Sequence, residues 1–474
     1  MTAHIVRREI LENLLSLRFM LSLLLVISLF VTGAVVFIGK YQREFQNYWE
    51  ESNKNLWAFG EQTEQLHRLA VYKQNVWRKP EPLTFCADGF EKYFPNWFSF
   101  SVFTVDLPEV KGQSNFILPR SRDIDWVSIV SLILSFAALL LTYDSICGEK
   151  ETGTLRLILA GPIPRHKVLL AKYFGAMFTL GIPLLMGLLL NIIIVLFSDV
   201  IGIGAGDWFR IVGIVLLSYL YLSVFVLLGI FVSSRTSHSA VSMVTLIFVW
   251  AGVAILIPSF GRFLSSTFWK SPARARLESK LAQVDEKMRA DVRSGKFGKR
   301  AGSDSYDRDS PRVNPPARAR WKNAWEKAKN QVREEHLRQM MASVVRARRI
   351  TRISPTVVYQ CASEALVGTG MNRFSDLWRQ IKMYRGNLKE YIVSNDREDP
   401  NSLHLLFPDE HATRKWTAIS NMSVDFDTVP KFQERDLALG QSLKLAIWDI
   451  GLLVLFNLVF FTAAFVSFLK YDVR

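Results

Sequence analysis

Six long apolar runs constrain the fold of this chain more than any other feature of its sequence. The core of a soluble domain does not need about twenty consecutive apolar residues, whereas the hydrocarbon layer of a bilayer does. The runs therefore predict an all-α polytopic membrane protein with six transmembrane helices. No small-residue cleavage site follows the first run, so we expect it to be retained as a span. The predicted spans cover residues 20–38, 126–144, 168–197, 209–232, 239–258 and 444–469.

The segments outside the spans differ greatly in length. Residues 39–125 and 259–443 are two long inserts, and their composition favours one mainly helical extracytoplasmic domain made from both. Residues 1–19 place Ile10, Leu14 and Leu17 on one helical face, which predicts an interfacial N-terminal helix. Alternatively, these residues simply begin a long first helix. A short tail, 470–474, follows the last span.

The short loops indicate the orientation, because Lys and Arg concentrate in short cytoplasmic loops. Six spans place both termini on the same side of the membrane. The N-terminal residues, the 145–167 segment and the tail all carry Lys or Arg, whereas the 198–207 connector carries none. We therefore expect both termini to be cytoplasmic.

The net charge of +15 is concentrated in the second insert. Between Arg262 and Arg352 the chain has 24 Lys or Arg against 10 Asp or Glu. Such a surplus suits anionic lipid headgroups or an acidic partner, and a merely solvated face is the alternative. Nucleic acid is not an expected partner on the outer side of the membrane.

Motifs for chemistry are absent from the sequence. No G-x-x-x-x-G-K-[ST] phosphate loop occurs, and neither H-E-x-x-H nor G-x-S-x-G is present. The three cysteines, Cys86, Cys147 and Cys361, are far apart and lack the spacing of metal ligands. We therefore expect no catalytic residues, no metal site and no bound cofactor in this chain.

The 145–167 segment connects the second and third spans and combines acids, a glycine and prolines. Glu149 and Glu151 precede Gly153 and Thr154, and a leucine-rich turn begins at Leu155. A three-turn helix is predicted over 149–159, ended by Pro162 and Pro164, with Arg165 beginning a basic approach to the third span. An ordinary cytoplasmic loop that separates two spans is the alternative interpretation.

This pattern of an acid pair, Gly-Thr-Leu and Pro-x-x-Arg resembles the coupling segment of bacterial ABC type-2 permeases. The resemblance implies that the segment docks on a separate ABC ATPase, which binds the ATP and Mg²⁺. It also implies two copies of that ATPase, a second permease subunit that is identical or related, and export or extraction across the membrane. The coupling residues implied by the resemblance are Glu149, Glu151, Gly153, Thr154, Leu155 and Arg165.

The long inserts resemble those of a particular bacterial subfamily of these permeases. Ser354-Pro355, the 362–366 segment and the 426–432 segment carry that likeness. Because the inserts are larger than a minimal exporter needs, a second function stays open. In that alternative, the ATPase moves the outer domains against an envelope partner and no cargo crosses the bilayer.

Several polar residues and cysteines outside the coupling segment also need an interpretation. Asn191 and Asn457 lie within apolar runs, where we favour hydrogen bonds between helices over a substrate pathway. Asp449 is expected near the outer interface. Cys86 and Cys361 share the outer side in this topology, so they either form a disulfide or are buried apolar residues.

Overall fold

The computed structural model describes residues 2–89, 96–106, 124–160, 164–260, 274–298, 314–408 and 418–470. Six of its helices are long and apolar enough to cross a membrane, which confirms the predicted number of spans. We number these helices span 1 to span 6. They are Leu17–Glu64, Trp126–Glu151, Arg165–Leu196, Ala205–Arg235, Ser239–Phe260 and Leu439–Leu469.

The elements follow one another in a mostly helical order. Helices α1 to α5 are Thr2–Leu14, Leu17–Glu61, Leu66–Val71, Trp126–Ser128 and Ser135–Thr142, and strands β1 to β3 are Gln74–Trp77, Trp97–Phe100 and Val105–Asp106. Helices α6 to α10 are Cys147–Glu151, Thr154–Ala160, Arg165–Leu196, Ala205–Arg235 and Ser239–Trp250. Helices α11 to α15 are Arg274–Arg293, Pro315–Thr351, Pro355–Val367, Met371–Asp396 and Leu439–Leu469. Turns of 3₁₀ helix cover Gln62–Glu64 and Pro82–Phe85, and π-helical turns at Ile129–Leu134 and Ala251–Leu256 continue spans 2 and 5.

The N-terminal helix α1 is separate from span 1. Ser16 divides them, because its hydroxyl accepts a hydrogen bond from the Phe19 amide and caps the start of α2. Helix α1 then packs along the first turns of span 3. A Cβ atom on Gly175 would lie 2.9 Å from the Cβ of Glu9, so the absence of a side chain there allows this close approach.

The 39–125 insert contains a small antiparallel sheet, which the sequence analysis missed. Strand β2 is central, and its Phe100 pairs with Gln74 of β1 and with Val105 of β3. The aromatic residues of β2 do not lie on a membrane surface, since Phe98 packs against Phe374 with ring centroids 5.6 Å apart. The fold is therefore mainly helical, as predicted, with a three-stranded sheet added.

The two inserts share one hydrophobic core. Phe59, Leu66 and Phe98 of the first insert pack in the same buried cluster as Phe374 and Ile381 of the second. Helix α12 joins that cluster through Leu337. Residues more than two hundred positions apart in sequence therefore build one domain, which stands at one end of the bundle of spans.

Helix α13 lies among the spans and not in the insert domain. The ring of Tyr359 stacks on Tyr221 of span 4 at 4.5 Å, and its hydroxyl lies 2.7 Å from the Ser218 hydroxyl. At the other end of α13, the Val367 carbonyl accepts a hydrogen bond from Arg210, nearer the beginning of span 4. With only 13 residues, α13 is too short to cross a bilayer, so it enters and leaves on one side. We expected all of the second insert, 259–443, to lie outside the bundle of spans. Helix α13 shows that part of it lies between the spans.

Two ion pairs hold this re-entrant hairpin of α12 and α13. Arg348 of α12 bonds both carboxylate oxygens of Glu364 of α13, at 3.0 and 2.7 Å. Arg352 lies 2.9 Å from Asp449 of span 6, whose side chain is 3 % exposed. The end of the bundle where the inserts emerge is called the insert end below, and the opposite end, where α1, α6 and α7 lie, is called the loop end.

Candidate functional site

The segment between spans 2 and 3 forms two short helices and not the single three-turn helix that was predicted. Helix α6 ends at Glu151 and α7 begins at Thr154, with Gly153 between them at φ +75°. L-residues rarely adopt that conformation, so the glycine permits the turn. Pro162 lies outside the described residues, and Pro164 is the N-cap residue of span 3.

Glu149 on α6 is bonded to a buried lysine. Lys172 of span 3 is 3 % exposed, and its Nζ lies 2.8 Å from a carboxylate oxygen of Glu149 and 2.8 Å from one of Glu9 on α1. A buried ammonium group requires such partners, because removing it from water costs several kcal/mol. Glu149 is therefore held inside the fold by an ion pair and is not a free acid on the surface of the segment.

The next two residues of α6 bond the ends of spans 4 and 5. Lys150 donates to the carbonyl oxygens of Ser234 and Thr236 at 2.5 and 3.0 Å, where span 4 ends. The Glu151 carboxylate accepts hydrogen bonds from the Ser239 amide at 3.0 Å and hydroxyl at 2.6 Å, where span 5 begins. Each charge has the sign that suits its helix terminus, a cation at a C-terminus and an anion at an N-terminus.

The remaining spans are bonded at the same level. Arg165 at the start of span 3 donates to the Leu469 carbonyl, the last residue of span 6, at 2.7 Å. Arg18 of span 1 forms an ion pair with Asp144 near the end of span 2 at 2.8 Å. Together with the bonds of α6, these contacts join α1 and all six spans at the loop end, and we call them the loop-end network.

The tip of the segment, residues 152–157, differs from this bonded base. Leu155 is buried, whereas Leu157 on the same helix is 76 % exposed. Thr152, Thr154 and Arg156 are also exposed, and the two threonine hydroxyls lie 2.9 Å apart. The tip therefore presents an exposed leucine among polar residues, next to a base that is bonded to the spans.

Comparison with known proteins identifies the class of membrane protein. A family model described as ABC-2 family transporter protein matches residues 3–473. The chain belongs to the ABC-2 transporter family. It is therefore a multi-pass permease, a membrane subunit of a type that is typically non-catalytic.

Two curated relatives carry the same printed description, "Probable ABC transporter permease protein NosY". The one from Stutzerimonas stutzeri is 28 % identical over 161 residues, which is 32 % of this chain and 58 % of the relative. The one from Pseudomonas aeruginosa is 37 % identical over 76 residues, covering 16 % of this chain and 28 % of the relative. The permease thus spans less than two thirds of the length of either relative.

The polar residues within the spans of the permease bond neighbouring helices. Asn191 of span 3 accepts a hydrogen bond from the Trp126 indole at 3.0 Å and donates to the Phe30 carbonyl at 2.7 Å. Asn457 of span 6 donates to the Leu220 carbonyl of span 4 at 3.0 Å. Asp449 is buried against Arg352 of the re-entrant hairpin and does not lie at an open interface.

Cys86 and Cys361 are both free and buried in the structure, so the disulfide alternative is corrected. Cys86 follows Phe85, whose ring packs edge-on against Trp126 at 5.1 Å, and it belongs to the apolar core of the bundle. Burial raises the pKa of the Cys86 thiol well above its usual range. Both cysteines thus act as small apolar side chains.

Sequence reasoning missed the partners that hold the segment in place. Lys172 was treated as part of a basic approach to span 3, although it lies seven residues inside that helix. An ionisable residue within a span signals a buried partner, and this signal could have found the pair with Glu149. The bonds of Lys150 and Glu151 to helix ends carried no comparable signal, because both residues look like ordinary loop charges.

Proposed function

We propose that the permease couples ATP hydrolysis on a separate ABC ATPase to movement of its spans, with the 152–157 tip as the docking contact. One observation carries this proposal: the base of the same segment bonds α1 and spans 3, 4 and 5 while the tip stays exposed. A partner that displaces the tip therefore displaces four helices together. The family membership supports an ATPase as that partner.

The assembly that follows contains two ATPase copies, which bind ATP and Mg²⁺, and a second permease subunit that is identical or related. The loop end then faces the cytoplasm of a bacterium, and the insert domain lies outside the inner membrane. The reaction served is export or extraction of a substrate across that membrane. The two large inserts support membership of a bacterial subfamily of these permeases with extended outer domains.

The test replaces the exposed apolar contact without touching the base. We expect Leu157→Asp to lower co-purification of the ATPase and its stimulated ATPase activity, because a carboxylate cannot occupy an apolar cleft. The thermal stability of the permease should not change, since the Leu157 side chain is mostly in water. Co-purification and ATPase activity are measured on the complex expressed with a candidate ABC ATPase, and thermal stability is measured on the purified permease.

Met383→Asp is the matched control, because Met383 is a similarly exposed apolar residue on the insert domain. That variant should behave as the unaltered permease does. Wild-type yield of the ATPase and full stimulated activity with Leu157→Asp would refute the docking role of the tip.

A second function, movement of the insert domain against an envelope partner, is favoured by one observation. The insert domain has its own core and is tied to span 6 through the Arg352–Asp449 ion pair, so displacement of span 6 reaches it directly. A structure of the assembled complex separates the two functions. A polar, water-filled path between the permease subunits supports transport, and a dry, closely packed seam supports the mechanical role.

A further inference from the structure

Two open grooves at the loop end combine apolar walls with a pair of cations. The first lies between α1 and span 3 and has a volume of about 630 Å³. Its walls include Ile10 and Phe174, and its cations are Arg7 and Lys167. This groove adjoins the loop-end network, because Arg7 is two residues from Glu9.

The second groove lies between spans 4 and 6 and has a volume of about 620 Å³. Its walls include Leu458 and Val459, and its cations are Arg235 and Lys470. The chain thus repeats one chemical arrangement at two places that share no residue.

The four groove cations differ from the cations of the loop-end network. Within the ranges that the structure describes, the side chains of Arg7, Lys167, Arg235 and Lys470 show no hydrogen bond or ion pair. The network cations are bonded, as Arg18, Lys150, Arg165 and Lys172 show. Two unpaired cations side by side repel each other, so each groove gains from an anion between them.

The depth of the grooves indicates which anion fits. Lys167 lies in the first turn of span 3, Arg235 ends span 4 and Lys470 follows the last residue of span 6. These positions are at the level of lipid headgroups. From there, exposed apolar side chains such as Phe174 and Leu458 continue into the hydrocarbon layer.

We propose that each groove binds one anionic phospholipid from the leaflet at the loop end, with the phosphate between the two cations and an acyl chain along the apolar wall. A free anion would occupy only the charged part of the groove, whereas a phospholipid occupies both the charged and the apolar parts. This inference goes beyond the coupling function and does not require it.

Bound lipid has a consequence for the loop-end network. Arg7 is on the helix that supplies Glu9 to Lys172, and Arg235 follows Ser234, whose carbonyl accepts a bond from Lys150. Anionic lipid bound in the two grooves therefore stabilises α1 and the end of span 4, which both contribute partners to the loop-end network. We expect anionic phospholipid to raise the melting temperature of the purified permease, and zwitterionic phospholipid to leave it unchanged.

The experiment titrates the full-length permease in detergent with dioleoylphosphatidylglycerol or dioleoylphosphatidylcholine. Melting temperature and bound lipid, counted by native mass spectrometry, are the two readouts. Neutralising both cations of a groove, in Arg7→Gln/Lys167→Gln or in Arg235→Gln/Lys470→Gln, should weaken phosphatidylglycerol binding there about 30-fold, from about 1 kcal/mol for each cation near an anionic surface. The combined variant should lose the stabilisation altogether.

Two controls separate charge from other effects. Arg7→Lys/Arg235→Lys keeps the charges and should retain the response to phosphatidylglycerol. A retained response would also show that changes at these two positions do not prevent folding. Lys287→Gln/Lys389→Gln removes two exposed cations of the insert domain. This variant should also retain the response to phosphatidylglycerol.

Three results would overturn the proposal. One is equal stabilisation by the two lipids, and another is an undiminished phosphatidylglycerol response in the combined variant. The third is full stabilisation by inorganic phosphate alone, which would make the grooves simple anion sites. If Arg7→Gln/Lys167→Gln loses the ATPase but keeps its lipid response, the first groove is a protein contact and the proposal fails there.

Discussion

The two ends of the bundle both bury cations against carboxylates, but they distribute them differently. At the loop end, one lysine, Lys172, holds acids from two other elements, Glu9 and Glu149. At the insert end, Arg348 and Arg352 each hold one acid, and both arginines come from the 315–352 stretch of α12 and its C-cap. At the loop end, a single buried side chain thus joins three elements. At the insert end, two separate ion pairs each join two elements.

The largest effect is expected at Lys172. Lys172→Met leaves two carboxylates without their cation in a water-poor site, so we expect a loss of about 3–5 kcal/mol in the free energy of unfolding. The loss of stability is measured by thermal melting in detergent and by the yield of monodisperse protein. The triple variant Lys172→Met/Glu9→Gln/Glu149→Gln removes all three charges and should recover much of the stability. No recovery would show that the network contributes more than charge balance.

A smaller loss is expected for Arg352→Met at the insert end, about 3 kcal/mol, because Arg352 is partly open to water. Asp449 is then buried without its cation. The second change Asp449→Asn should restore most of the stability. A loss as large as that of Lys172→Met would contradict the contrast between a shared cation and divided pairs.

Two glycines with positive φ, one at each end of the bundle, show that the insert end is more crowded than the loop end. Gly153 at the loop end has φ +75°, and a Cβ atom added there would have no neighbour within 4 Å. At Gly368, with φ +84°, an added Cβ atom would lie 2.6 Å from Arg210. We expect about 1 kcal/mol of strain for Gly153→Ala and about 2 kcal/mol or more for Gly368→Ala. Equal shifts in melting temperature would indicate that both ends relax alike.

The smallest effect is expected for Glu151→Gln. The Ser239 amide and hydroxyl donate to different oxygens of the Glu151 carboxylate. In the glutamine variant the amide oxygen keeps the bond from the Ser239 amide, and the new NH2 group can donate to the Ser239 hydroxyl, so the main loss is the charge at the start of span 5. Because this carboxylate is partly in water, the melting temperature should fall less than in Gly153→Ala. Glu151→Ala, which also removes the hydrogen bonds, is the comparison. A large effect of the glutamine variant would mean that the charge itself holds span 5.

The sequence predicted those parts of the fold that depend on local composition. Hydropathy located six spans. The acid pair with Gly153 predicted a docking role for the 145–167 segment, and that role stays a prediction. Helix α13 falls within the 259–443 stretch, all of which the sequence analysis assigned to the outer insert. Its actual neighbours are Ser218 and Tyr221 of span 4, and no local pattern encodes a contact with residues so distant in the chain.

The site shows the same division between local and distant information. A glycine at position 153 was recognised, but its consequence, a break between two helices, depends on a backbone angle that composition does not give. Strand β2 was missed because its aromatic residues also suit a membrane surface. The bonds of α6 to spans 4 and 5 link side chains to backbone atoms at helix ends, and such bonds leave no residue-type signature at the accepting end.

The length of span 1 has a mechanical consequence. Its helix α2 runs for 45 residues without a proline, which corresponds to about 68 Å at 1.5 Å per residue. Less than half of that length fills a bilayer. The helix therefore extends as a rigid arm from Arg18 at the loop end to the insert domain. For a rod of that length, a tilt of about 5° moves the far end by about 6 Å. Small angular changes at one membrane surface are thereby amplified into displacements as wide as a helical turn.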